Sequence, residues 1–112
     1  MREENIKAVE AYLNALKMHE LSQAPFADDI YFEDPVAGKN RGAENFRAFL
    51  SGFLPAISDV RVVRHIAEGD YVATHFEVDG VFGIIPIMEM FKVKNGEITE
   101  AIGYFDPRPI IG

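Results

Sequence analysis

The first half of the chain alternates apolar and polar residues with the spacing of helices. From Glu3 to Met18, apolar residues recur every three or four positions among charged ones, which predicts an amphipathic helix. The same spacing predicts a second long helix over Ala43–Phe53. Between them, we predict a short helix at Leu21–Ala27, started or interrupted by Pro25.

The second half alternates with a period of two, which is typical of strands. Four strands are predicted, at Asp59–Glu68, Tyr71–Asp79, Val81–Lys94 and Glu97–Phe105. The turns between them contain Asp79-Gly80 and Asn95-Gly96, and such short turns indicate an antiparallel meander. A shorter strand is predicted at Ile30–Asp34, ending where Pro35 disfavours continuation, with a loop over Val36–Gly42 after it.

Composition agrees with a folded globular domain. The chain has 112 residues, of which 48% are hydrophobic and 26% charged, close to globular averages. We find no linker, repeat or low-complexity segment, so residues 1–112 are expected to form a single domain. The predicted fold class is α+β, with helices packed on one face of a curved antiparallel sheet.

Charge and residue content exclude several classes of function. The net charge is −7 and no basic run could follow a phosphate backbone, so we expect no nucleic-acid partner. The chain lacks cysteine, acids stand near its N-terminus, and its longest apolar stretch falls well short of the roughly 20 residues of a membrane span. We therefore expect no export signal, no membrane contact and a cytoplasmic location.

One acid falls on the apolar face of the third long strand. Lys92 and Lys94 mark one face of that strand, which leaves Glu89 on the other face beside Phe91. Burial of a carboxylate is costly unless it is paired or protonated, and it raises the pKa of the group. The alternative is a bulge at Pro86 that returns Glu89 to water.

Small residues occupy one face of the last strand. Ala101 and Gly103 lie on the same face as Phe105, where a filled core would place larger side chains. This pattern indicates either a cavity or a close approach of a helix.

Other candidate residues have ordinary explanations when each is taken alone. Asp34 before Pro35 is typical of a turn, and Tyr12 beside the apolar stripe of the first helix is typical of a packed tyrosine. The three histidines lack the spacing of a metal site, and no phosphate-binding, dinucleotide-binding or nucleophile-elbow motif is present. No metal or cofactor is expected.

Taken together, Tyr12, Asp34 and Glu89 resemble the catalytic set of the ketosteroid isomerases. These enzymes belong to the larger nuclear transport factor 2-like (NTF2-like) and SnoaL-like group of cone-shaped α+β folds. The segments that carry the resemblance are Val9-Glu-Ala-Tyr12-Leu-Asn-Ala-Leu, Phe26-Ala-Asp-Asp, Phe32-Glu-Asp34-Pro-Val, Arg41-Gly42, and Phe76-Glu through Pro86 to Glu89-x-Phe91. They span nearly the whole chain.

The resemblance implies a reaction and a role for each residue. It implies that Asp34 is a general base that moves a proton between two carbons beside a carbonyl. Tyr12 and Glu89, the latter standing where the family has Asp, would donate hydrogen bonds to the enolate oxygen; the handling of a neutral carboxylic acid in an apolar site follows the known ketosteroid isomerase example. The implied pocket residues are Phe49, Phe76, Phe91 and Phe105, together with Ala101 and Gly103 from the strand pattern. The ligand would be a small apolar molecule such as a steroid or another planar ketone.

Two other functions remain open at this stage. One is a non-catalytic protein that binds a small apolar molecule, and the other is a related cyclase or hydrolase that uses acids such as Glu100 and Asp106. The outer sheet face carries Met88 and Met90, which the predicted helices cannot cover, so we expect a homodimer through that face.

Overall fold

A computed structural model describes residues 2–112 and contains a six-stranded sheet with helices on one face. The helices are α1 (Arg2–Lys17), α2 (Ala43–Ser51) and α3 (Arg108–Ile111), with a 3₁₀ turn at Leu54–Ala56. The strands are β1 (Phe26–Asp34), β2 (Gly38–Arg41), β3 (Ile57–Glu68), β4 (Tyr71–Gly80), β5 (Gly83–Lys94) and β6 (Glu97–Tyr104). The α+β class and the predicted long elements are therefore confirmed.

The sheet order places the first strand of the chain beside the last one. The order is β2-β1-β6-β5-β4-β3, so the strand after α1 lies beside the last strand. Strands β3 to β6 form the predicted antiparallel meander, whereas β1 pairs with β6 in parallel. This parallel pairing was not predicted, because period-two alternation carries no information about which distant strands pair.

The two long helices cover the inner face of the sheet. α1 lies chiefly against β3 and α2 lies against β1. The buried stripe of α1 includes Val9, Tyr12, Leu13 and Leu16, as its apolar spacing requires. The aromatic rings of Phe32 and Phe46 stack at a centroid distance of 4.4 Å and join β1 to α2. The core therefore fills the space between the helices and the sheet.

The short helix predicted at Leu21–Ala27 is wrong. The segment forms turns and then enters β1 at Phe26. The guanidinium of Arg47 on α2 donates hydrogen bonds to the carbonyl oxygens of Leu21 and Ala24, at 3.0 Å each. These tertiary hydrogen bonds hold carbonyl groups in a non-helical arrangement, and a pattern in the local sequence cannot reveal them.

A bulge near the start of β6 changes which residues face inward. Pairing shifts between Lys92 opposite Glu100 and Val93 opposite Ile98, so Thr99 is an extra residue in the strand. Strict alternation with Ala101 and Gly103 would place Ile98 on the outer face, but the bulge turns it inward and it is fully buried. Ala101 and Gly103 keep their predicted inward direction, and both are buried.

Within residues 2–112, no helix is both long enough and apolar enough to cross a bilayer.

Candidate functional site

An apolar cavity lies between the helices and the inner face of the sheet. Its volume is about 90 Å³. Six phenylalanines contribute to its wall: Phe46, Phe49, Phe53, Phe76, Phe82 and Phe105. Its polar side chains are Tyr12, Asp34 and Glu89, and the wall, as far as the described residues form it, includes no arginine, lysine or histidine. The three predicted catalytic residues thus line one cavity.

The two carboxyl groups are brought together by a row of neighbouring strand residues. Gly103 on β6 pairs with Glu89 on β5, and the parallel pairing of Glu33 with Ile102 sets Asp34 beside Gly103. A Cβ atom placed on Gly103 would lie 3.5 Å from the Cβ of Asp34 and 3.8 Å from the carboxyl carbon of Glu89. Because Gly103 has no side chain, a gap remains between the side chains of Asp34 and Glu89.

One carboxyl oxygen of Asp34 stabilises a turn, and the rest of the carboxyl group lines the cavity. Its Oδ1 accepts hydrogen bonds from the backbone N–H groups of Val36 and Ala37, at 2.8 and 2.7 Å. This is the turn arrangement that Asp before Pro predicts. The side chain is half-buried and lines the cavity. The turn fixes the carboxyl group while Oδ2 stays available to a ligand.

Glu89 is buried on the inner face, so the alternative of a bulge at Pro86 is ruled out. β5 pairs with β4 without a register shift from Gly83 to Lys92, with Pro86 opposite Glu77. Pro86 is tolerated because the pairing of β6 with β5 begins at Met88, so β6 has no residue opposite it. Burial, aided by the negative charge of Asp34, raises the pKa of Glu89 to about 8. Near neutral pH its carboxyl group is therefore protonated and can donate a hydrogen bond.

Tyr12 reaches the cavity from α1. Its ring is held between aromatic neighbours, with centroid distances of 5.3 Å to Phe26, 5.9 Å to Phe46 and 5.7 Å to Phe91. Burial, together with the charges of Glu89 and Asp34, raises the pKa of its hydroxyl well above the usual value. The hydroxyl therefore stays protonated and is a hydrogen-bond donor.

The hydroxyl of Tyr12 and the carboxyl of Glu89 face the cavity without a protein acceptor. Neither group donates a side-chain hydrogen bond to another of residues 2–112. Every side-chain polar atom that is fully enclosed among those residues has a hydrogen-bond partner, so the polar atoms of Tyr12 and Glu89 are not fully enclosed. Both groups consequently open to the cavity, where a ligand or water can reach them. Two convergent donors on an apolar wall suit an oxygen that gains negative charge during a reaction.

The structure places four of the six predicted pocket residues in the cavity wall. These are Phe49, Phe76, Gly103 and Phe105. Phe91 and Ala101 instead lie opposite each other on β5 and β6, two residues along from Glu89 and Gly103, and are almost wholly buried in the core. Phe91 there supports the ring of Tyr12, so its role at the site is to position that side chain.

Sequence patterns missed two further features of the site. Phe82, in the turn between β4 and β5, lines the cavity although it was expected to be an ordinary strand residue. Thr74 continues the row of Asp34, Gly103 and Glu89 onto β4, where its buried hydroxyl is 2.8 Å from Nδ1 of His65. The other ring nitrogen of His65 lies 3.2 Å from a carboxyl oxygen of Glu10, so this histidine has a structural set of partners.

The acids considered for a hydrolase or cyclase lie outside the cavity. Asp106 forms an exposed pair with Arg108, with an Nη2–Oδ2 distance of 2.6 Å. Glu100 lies on the outer face, opposite Lys92. Arg61 is engaged by Asp79 and Glu77 on β4. Among residues 2–112, no cluster of three acidic, histidine or cysteine side chains could hold a metal ion.

Comparisons with known proteins agree with this fold. Residues 9–101 match the model of the SnoaL-like domain. A protein from Kribbella flavida superimposes with a TM-score of 0.86 at 25% identity, covering 94% of this chain and 88% of its own. An epoxide hydrolase from M. tuberculosis, of the LEH-like type, gives 0.78 at 26% identity, covering 98% and 88%.

A further solved structure shares the fold at lower identity. A candidate ketosteroid isomerase from Kribbella flavida gives a TM-score of 0.81 at 16% identity and covers 94% of this chain and 79% of its own. No curated protein matches the chain. The NTF2-like fold that the sequence resemblance predicts is confirmed.

Proposed function

The chain belongs to the SnoaL-like domain family, and we propose that it is an isomerase that moves a proton beside the carbonyl of a small, neutral, apolar substrate. The observation that carries this proposal is the convergence of Tyr12, Asp34 and Glu89 on one apolar cavity. The same fold supports many activities, so the proposal rests on these side chains rather than on the fold.

The proposed reaction assigns one step to each group. Oδ2 of Asp34 takes a proton from the carbon between the carbonyl and a β,γ double bond. The electrons of that C–H bond form a dienolate, whose oxygen accepts hydrogen bonds from Tyr12 and from protonated Glu89. Asp34 then returns the proton to the γ carbon, and the double bond becomes conjugated with the carbonyl. The protein ends in its starting state, so the reaction needs no cofactor.

The apolar wall strengthens each of these interactions. Donors fixed before the reaction stabilise developing charge more strongly where water is excluded. The raised pKa values of Tyr12 and Glu89 keep both donors protonated while the substrate oxygen gains charge. Both groups can therefore act as hydrogen-bond donors throughout the reaction.

Charge and volume of the cavity support a restricted class of substrate. The wall contains two acidic side chains, Asp34 and Glu89, and no cationic side chain among the described residues, so an anionic substrate would find no counter-ion. The volume of about 90 Å³ is less than the range of about 300–1,000 Å³ for most ligand pockets. These properties favour a neutral ketone of about one ring over a four-ring steroid.

The experiment is a direct assay of isomerisation with a one-ring substrate. Purified protein is mixed with cyclohex-3-enone, and formation of the conjugated cyclohex-2-enone is followed by ultraviolet absorbance. We expect catalysis by the wild type and a loss of roughly 10²–10⁴-fold in kcat for Asp34→Asn. Asp28→Asn, which changes an exposed acid on the same strand, is the matched control and should retain activity.

The outcomes separate the enzyme from a non-catalytic binding protein. Activity that is equal in the wild type and Asp34→Asn would refute the assigned role of Asp34. Binding of the ketone without product formation by the wild type would instead support a protein that only binds small apolar molecules.

We also propose that the protein forms a homodimer through the outer face of the sheet. Met88, Met90 and Tyr104 lie together on adjacent strands β5 and β6, and each exposes at least 40% of its surface. The helices pack on the opposite face. Contact with a second copy would remove this apolar surface from water.

A further inference from the structure

The turn between β4 and β5 folds an aromatic ring back toward the cavity. Val81 at this turn is 87% exposed, whereas its neighbour Phe82 is half-buried and lines the cavity. Two adjacent apolar residues in one short turn thus have opposite environments. The direction of Phe82 therefore needs a local cause.

Gly80 supplies that cause by leaving room for the ring. A Cβ atom on Gly80 would lie 2.7 Å from Cζ and 2.8 Å from Cε1 of Phe82, closer than carbon atoms approach without a shift. It would also lie 2.3 Å from the carbonyl oxygen of Ala56. The ring of Phe82 therefore rests directly on the backbone of Gly80, in a space that any other residue would fill.

The 3₁₀ turn after α2 holds this arrangement in place. The backbone N–H of Val81 donates a hydrogen bond to the carbonyl oxygen of Ala56, at 3.0 Å. This bond ties the tip of the β4–β5 turn to the segment that follows α2. Phe82 is consequently part of a fixed wall.

The position of Phe82 just before β5 places it far from Glu89 along the chain. Inward-facing residues of β5 run from Glu89 through Ile87 to Ile85, and all three line the cavity. Phe82 lies seven positions before Glu89 in the chain, and a strand rises about 3.3 Å per residue. On the β5 side of the wall, Glu89 and Phe82 are therefore at opposite ends of the cavity.

We propose that Phe82, seated on Gly80, determines substrate length by closing the end of the cavity opposite Glu89. The proposal rests on the proposed function, because a ligand whose carbonyl reaches the donors must extend toward Phe82. The cavity of about 90 Å³ lies well below the range of about 300–1,000 Å³ for most ligand pockets. Wild-type protein therefore accepts ketones of one ring at most, and loss of the Phe82 ring admits fused-ring ketones.

The test compares three neutral ketones of increasing length by isothermal titration calorimetry. The probes are cyclohexanone, the two-ring ketone 2-decalone and a saturated four-ring 3-ketosteroid. Phe82→Ala is expected to bind 2-decalone and the steroid at least 10-fold more tightly than wild type does, with cyclohexanone changed less than 3-fold. Val81→Ala, which alters the exposed residue of the same turn, is the matched control and should behave as wild type. Phe82→Leu keeps more of the apolar contact and should give a smaller gain, so it serves if the alanine variant does not fold.

Each result bears on the proposal in a distinct way. Wild-type affinity for the steroid equal to that of both Phe82 variants would overturn the role of Phe82, while the function would stand if Asp34-dependent isomerisation were observed. If none of the ketones bound to any of the proteins, both the proposed function and the role of Phe82 would be rejected.

Discussion

Replacement of Glu89 by glutamine should make the protein more stable at neutral pH. The pKa of Glu89 is about 8 in the folded protein against an ordinary value of 4.5, so the folded state holds a proton that the unfolded chain releases above about pH 4.5. Stability falls with rising pH wherever the folded state binds more protons. Each unit of difference corresponds to about 1.4 kcal/mol. The ionisation of Glu89 therefore costs wild type about 3 kcal/mol by pH 7 and about 5 kcal/mol above pH 8.

Glutamine has nearly the shape of protonated glutamate and does not ionise. At pH 4 the two proteins should have free energies of unfolding within about 1 kcal/mol of each other, because the side chain is neutral in both folded states. By pH 7 the Glu89→Gln variant should be more stable by about 3 kcal/mol. Urea unfolding followed by circular dichroism at pH 4, 7 and 9 measures this difference.

An exposed acid provides the matched control for this measurement. Glu97 begins β6 and is exposed, so Glu97→Gln should change stability by less than about 0.5 kcal/mol at each pH. If Glu89→Gln had no advantage at pH 7, or one that did not grow with pH, then the folded protein would not hold Glu89 as a neutral acid.

Four further predictions test other parts of the site and the proposed assembly. Tyr12→Phe should lower kcat for isomerisation by about 10²–10³-fold while the urea midpoint stays close to wild type, because only the donor is removed; an unchanged kcat would contradict its role. Gly103→Ala should fold normally but lose at least about 10-fold in kcat/KM, since its Cβ would contact both Asp34 and Glu89 at ordinary van der Waals distances; full activity would show that the space between the acids is not used. Activity should decline as pH rises through about 8, and Glu89→Gln should abolish that decline; a persistent decline would assign it to another group. Analytical ultracentrifugation at micromolar concentration should show a dimer, and Met90→Lys should produce a monomer; a monomeric wild type would refute the proposed interface.

Sequence patterns predicted the long elements because each carries its own periodicity. The stripe of α1 and the alternation of β3 to β5 are properties of consecutive residues, so they can be read without knowledge of distant contacts. The predicted helix at Glu3–Met18 differs from the observed helix by one residue at each end, and the predicted strand at Tyr71–Asp79 differs from β4 by one residue at its C-terminal end. The inward direction of Glu89 followed from the same alternation.

Tertiary contacts explain what the patterns did not predict. The turns at 21–25 depend on Arg47, which lies more than 20 residues away. The inward position of Ile98 depends on a bulge at Thr99 that strict alternation cannot include. The direction of Phe82 depends on the close approach of Ala56 and Gly80.

For the candidate catalytic residues, the neighbours in space carry information that the neighbours in sequence do not. When only its neighbours in sequence were considered, Asp34 was best explained as a turn residue, and the role of a base came from the resemblance. In the structure it does form the turn, through Oδ1, and it also lines the cavity with Glu89 and Tyr12. The parallel pairing of β1 with β6 brings these groups together, and that pairing has no local sequence signal.

The central claim is that Asp34 removes a proton beside a carbonyl held by Tyr12 and Glu89. The most direct measurement is the exchange of the α hydrogens of cyclohexanone for deuterium in D₂O, followed by proton NMR, because it detects proton removal without requiring a double-bond shift. Asp34 is half-buried, so solvent can reach its carboxyl group and exchange the acquired proton. Wild-type protein should accelerate exchange, and Asp34→Asn should reduce that acceleration by at least about 100-fold. Equal exchange with the wild type and Asp34→Asn would contradict the account.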